Sequence, residues 1–91
     1  MSRVVANAPI FTANEVVTVN VTGFTYLKDY AVICGTAKDK PVKVIIGDKK
    51  SFGMQDMFML KDSNGIKASY KGIKNVNGVD YDKFSLMEIL F

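Results

Sequence analysis

The chain has 91 residues and no histidine, which removes the commonest general base and the commonest metal ligand together. It has a single cysteine, Cys34, so no internal disulfide can form, and one thiol without imidazole gives no expectation of a zinc site. Cys34 sits in the apolar run "YAVICGTA", a setting for a structural thiol rather than a nucleophile. Long apolar runs are missing as well. The longest are a few residues, as at Val44, Ile45 and Ile46, against the about 20 that a spanning helix needs, so no membrane span is expected. The opening "MSRVVANAPIF" lacks the long apolar region of a secretory signal, which predicts a cytoplasmic protein. Arginine is almost absent: eleven of the twelve basic residues are lysine, which suits contact with a phosphate backbone better than bidentate reading of bases.

Catalytic patterns are equally scarce. "GDKKSFG" places lysines and a serine between glycines but lacks the spacing of a phosphate-binding loop. The acidic pairs Asp80 with Asp82, and Asp29 with Glu15, suggest hard-cation ligands or an acid/base couple, yet "GVDYDKF" is a turn sequence in which carboxylates cap or solvate the chain. No base partner is visible for a serine or lysine nucleophile. No enzyme, cofactor or metal is expected.

What is present is an ordinary globular composition, 48% hydrophobic and 23% charged, in a length that makes one domain over residues 1–91. The net charge of +3 is unevenly spread. Residues 38–74 hold nine lysines and four aspartates, a net of +5, and the remainder carries −2. A basic centre between neutral-to-acidic ends is the electrostatic footprint of a polyanion binder.

The elements follow from period and punctuation. Residues 1–14 carry Pro9 and several turn formers and read as an arm or edge segment. "EVVTVNVT" alternates β-favouring residues as a strand does, Gly23 interrupts it, and "GFTYLKDY" reads as a loop or bent hairpin tip before the strand "YAVICGTA". "AKDK" is a turn, and "PVKVIIG" a third strand opened by Pro41. Residues 48–56 read as a loop with a short helical turn near "GMQDM". The segments "MFMLKD" and "GIKASYKG" then read as strands joined through Asn64 and Gly65, with a further reversal at Asn77 and Gly78. "FSLMEILF" is apolar on both faces, which suggests a last strand covered twice, by the core and by a second element, for which a subunit partner is one candidate. Five to six short strands without a long helical period predict an all-β fold, a small antiparallel barrel of the oligonucleotide-binding kind, with an SH3-like barrel as the alternative.

In "GIKASYKGIK" Lys67, Ser69 and Lys71 alternate with Ile66, Ala68 and Tyr70, so a strand here shows lysines on one face and apolar groups on the other. Lysine interleaved with aromatics is the composition of a single-strand binder, in which ammonium groups follow the backbone and rings stack on bases. The candidate stacking residues are Tyr26, Phe24, Tyr30 and Tyr70, and the candidate phosphate ligands are Lys43, Lys67, Lys71 and Lys74. If the lysine face of that strand binds, Tyr70 points inward. Phe11, Phe58, Phe84 and Phe91, in or beside apolar runs, read as core; Phe52 reads either way.

Gly23 through Tyr26 to Cys34, then "PVKV" at 41–44 and "FSLM" at 84–87, resembles the small single-stranded DNA-binding proteins of filamentous phages. The resemblance implies a two-fold homodimer built on an oligonucleotide-binding barrel, a role in DNA replication, and Tyr26 as a base-stacking residue on the DNA-binding hairpin. The sequence departs from that family in its scarcity of arginine and in the added length of 48–62. The competing expectation is a small viral or mobile-element protein module that binds a protein partner or assembles into a larger particle, with the methionines of "MQDMFML" as an adaptable contact surface.

Overall fold

The computed structural model describes residues 10–91; residues 1–9, which hold most of the expected arm, lie outside it. Strands β1 (Val16–Leu27), β2 (Tyr30–Ala37) and β3 (Lys40–Asp48) are followed by helix α1 (Met54–Asp62), then β4 (Ile66–Val76) and β5 (Val79–Ile89). The strand order β1-β2-β3-β5-β4 closes into a barrel because β1 returns to pair with β4. The expected small all-β barrel is therefore what the chain forms. One pairing departs from antiparallel: β3 and β5 run parallel, joined only at Val44 with Asp82 and Ile45 with Lys83.

Three hairpins turn in two residues each, Lys28 with Asp29, Lys38 with Asp39, and Asn77 with Gly78. The last two turns have both central residues at positive φ, 52° and 63° for Lys38 and Asp39, 53° and 84° for Asn77 and Gly78. That backbone matches the right-handed twist of the flanking strands.

The alternation in β4 is realised. Ile66, Ala68 and Tyr70 are buried and Lys67 and Lys71 exposed; Ser69 is also buried, flanked by Val16 of β1 and Ser85 of β5. The barrel is filled by Val17, Val19, Ile33, Val44, Ile46, Ile66 and Phe84, with Met57 and Leu60 of α1 closing it. At its centre Phe11, Tyr70 and Phe84 meet ring to ring, with centroids 4.9 to 5.4 Å apart.

Several expectations need correction. "MFMLKD" is not a strand: it belongs to α1, whose buried side chains, Met57 and Leu60, are three apart as on one helix face. The Asp56 carboxylate accepts the Gly53 N–H at the start of this helix, and the Ser63 hydroxyl donates to the Leu60 carbonyl at its end. Asn64 and Gly65 consequently link a helix to a strand instead of forming a hairpin. Gly23 does not end β1; the strand runs on to Leu27 through a bulge between Val21 and Gly23. Of the four phenylalanines read as core, Phe11 and Phe84 are buried, whereas Phe58 is 48% and Phe91 82% exposed. Phe58 of α1 is half exposed, with its ring against Phe24 of β1, and Phe91 follows the last strand pairing.

A latch holds the segment before β1. Glu15 accepts the Thr12 N–H at 2.9 Å and pairs with the Lys38 ammonium at 2.8 Å. Lys38 also donates to the Ile10 carbonyl and sits 5.0 Å from the Phe11 ring. Its hydrogen bond with Lys38, followed by the Thr12 N–H, holds the Glu15 carboxyl below its ordinary value of 4.5. A depressed native pKa means that the latch stabilises the fold above the unfolded-state value and loses that contribution as the pH falls through the native one. Glu15→Gln should therefore lower the melting temperature at neutral pH and have progressively less effect as the pH is taken below about 4. An equal effect at both ends of a pH series of melting curves would show that the charge is not what holds the arm.

Candidate nucleic-acid interface

The register of the first hairpin divides the aromatic residues between two surfaces. Phe24 pairs with Ile33 and Tyr26 with Ala31, so both rings take the side of β1 that continues the barrel interior. Leu27 pairs with Tyr30, and Thr25 with Val32, on the outer side. The expected trio of Phe24, Tyr26 and Tyr30 is thus not one cluster.

On the inner side, Tyr26 is half-buried and its hydroxyl donates to the Phe52 carbonyl at 2.9 Å. The Lys49 ammonium lies 5.4 Å from the Tyr26 ring, and Phe24 meets Phe58 of α1 edge-on at 5.1 Å. Phe52, undecided in the sequence, packs against the core. Beside this group, Asp29, Asp48, Lys49 and Lys50 line an open concavity of about 550 Å³. Hydrogen bonding from Ser51 holds the Asp48 carboxyl below its ordinary value.

On the outer side, a second apolar cluster forms on the β2–β3 surface. Val32, Ile45 and Val76 are buried there, with Leu27, Tyr30 and Tyr81 packed around them. The Lys74 ammonium is 5.6 Å from the Tyr30 ring. Lys43 is exposed on β3 opposite Cys34, and Lys83 is exposed on β5 opposite Ile45, which puts both on this surface.

The remaining candidates lie elsewhere. Lys67 projects from β4 between Thr18 of β1 and Glu88 of β5, and β4 is separated from β2 by β1 and from β3 by β5. Lys71 donates to the Asn14 side chain at 3.0 Å. Tyr70 is 7% exposed and part of the central ring cluster, so its ring has no free face for a base. The structure brings together Tyr30 and Lys74; Lys43 is on the same surface farther along β3, paired with Cys34. Tyr81 and Lys83 were not singled out from the sequence. Their signal was the Asn77–Gly78 hairpin, which returns β5 alongside Lys74: Tyr81 pairs with Lys74.

Among the described residues, no three His, Cys, Asp or Glu side chains are grouped to hold a metal ion, and no helix is long and apolar enough to cross a membrane. No family model, curated protein or solved structure matches the chain.

Proposed function

We propose that the protein is a non-catalytic single-stranded nucleic-acid binding protein, with DNA as the expected form, acting through the outer β2–β3 surface. The observation that carries this reading is the Lys74 ammonium over the Tyr30 ring on that surface, with Lys43 and Lys83 exposed on the same face. Lysines there neutralise phosphates and Tyr30 offers a base-stacking ring. Tyr26 and Phe24 form a separate aromatic pair under Lys49 and are the weaker candidates, since the Tyr26 hydroxyl and the Phe24 edge are already engaged. A homodimer through the last strand belongs to the same reading, supported by Met87, 59% exposed on β5. Sedimentation at micromolar concentration tests it.

Fluorescence anisotropy with a labelled single-stranded oligonucleotide tests the main claim. Three lysine contacts predict a fall of about twentyfold in affinity for a fourfold rise in salt. Tyr30→Ala should weaken binding by about 1–3 kcal/mol, and Tyr26→Ala by less. No association at low salt would remove the proposal. The second reading, a protein-binding module, is favoured by Met54, Phe58 and Met59, all about half exposed on α1. Binding to a protein through that apolar helix face should be nearly insensitive to salt.

A further inference from the structure

We infer that the distal β4–β5 hairpin, residues 73–81, is a lid, and that the apolar floor beneath it, Val32 and Ile45 beside Tyr30, receives nucleobases of a single strand when the lid lifts. The choice of ligand rests on the function proposed above; the movement of the hairpin does not.

Strand side chains on the outside of a small barrel are ordinarily solvated, yet Val32 and Ile45 are completely buried there. What covers them is the hairpin, through Val76 and Tyr81. The centre of the surface that would hold a ligand is therefore occupied by part of the chain itself.

The pairing shows how weakly that part is tied down. β1 pairs with β4 only up to Ser69, and backbone bonds from the segment before β1 end at Tyr70. β3 meets β5 only at Asp82 and Lys83. Between these points residues 74–76 and 79–81 pair with each other alone, and Ile73 pairs with Asp82 at the root. The hairpin is internally firm: Asn75 donates to Asp80 at 2.8 Å and accepts the Gly78 N–H at 3.1 Å. It should move as a unit.

Its root carries a hinge. The register shifts between Tyr70 and Ile73, leaving Lys71 and Gly72 as a bulge. Gly72 has φ of 103°, a conformation that side chains rarely adopt, and no atom lies within 4 Å of where its Cβ would be. A glycine in open space gives the backbone at this bulge more freedom to rotate than any other residue would. Lifting the hairpin separates Lys74 from Tyr30, frees one face of the tyrosine, and carries Val76 and Tyr81 off an apolar floor that Tyr30 flanks. Bases of a single strand can enter such a slot, whereas paired bases in a duplex present only their edges.

Two measurements test this. Hydrogen exchange on the unliganded protein should show amides of 73–81 opening at least about tenfold more readily than those of 66–70, because their opening is local. Exchange of both segments together, only on global unfolding, would overturn the lid regardless of any ligand. A locked form, Val32→Cys with Val76→Cys in a Cys34→Ser background, is then titrated with labelled oligothymidylate. Oxidation should weaken binding by about tenfold or more, with recovery on reduction, since affinity scales with the open fraction. Equal affinity of oxidised and reduced forms would overturn the slot and leave surface binding intact. If wild type binds no oligothymidylate at low salt, the nucleic-acid reading and the slot both fall, and exchange alone judges the lid.

Discussion

Replacing Phe84 by alanine is expected to lower the unfolding free energy by about 3–5 kcal/mol, the range for a fully buried phenylalanine. Phe84 is 1% exposed, lies between Phe11 and Tyr70 and comes from β5, the strand inserted between β3 and β4 to close the ring. Its loss removes ring contacts to two neighbours on different segments, and neither can move inward without breaking the bonds that hold its segment. Phe11 enters from the segment held by Glu15 and Lys38, and Tyr70 is fixed by backbone bonds to Asn14 and Glu15. A residual cavity is therefore expected rather than collapse. A domain of this size has a total stability on the order of 5–14 kcal/mol, so the variant should be partly unfolded at moderate temperature. Urea unfolding measures the change directly, with Phe58→Ala as the exposed control, expected to stay within about 1 kcal/mol of wild type. A loss at Phe84 no larger than at Phe58 would mean that the ring cluster does not form the centre of the core.

The barrel was legible where period two governs. Ile66, Ala68 and Tyr70 alternate with exposed lysines as the sequence suggests, because each side chain in a strand faces away from its neighbours. Helix α1 was not legible. A four-residue apolar run reads alike in a buried strand and a short helix, and here only Met57 and Leu60 are buried while Phe58 and Met59 between them are exposed. The two Asn-Gly pairs make the same point. Asn77 and Gly78 both take positive φ and form the hairpin; at Asn64 and Gly65 only the glycine does, because the chain is leaving a helix. The candidate site was half legible. That Phe24 and Tyr26 share a face follows from spacing, and a two-residue turn at Lys28 and Asp29 would have placed Tyr30 on the other. The approach of Lys74 to Tyr30 depends on the bend at Gly72 and on a second chain reversal, which no local pattern specifies.

Two glycines in the β1–β2 ladder should respond oppositely to the same substitution. A Cβ on Gly35 would lie 1.8 Å from the Asn20 carbonyl oxygen and 2.8 Å from its carbon, so Gly35→Ala drives a methyl group into backbone. Asn20 and Val21 belong to a strand paired on both sides, with β2 along Asn20 and Val21 and with β4 just before them at Val19, so the obstructing atom cannot swing aside as a side chain could. The cost is expected at the top of the about 1–3 kcal/mol range for overpacking, or beyond it. Gly23, across the bulge, has nothing within 4 Å of its Cβ position. Gly23→Ala is therefore expected to be neutral or to stabilise by about 0.4–1 kcal/mol, through the reduced freedom of the unfolded chain. Chemical unfolding of both variants measures the contrast. Because Gly23 pairs with Cys34 on the outer surface, Gly23→Ala also leaves the fold intact while adding a methyl group beside the proposed ligand surface. A variant that keeps wild-type stability and loses oligonucleotide affinity would locate binding there independently of any change in charge, whereas unchanged affinity would confine the ligand to the Tyr30 and Lys74 end.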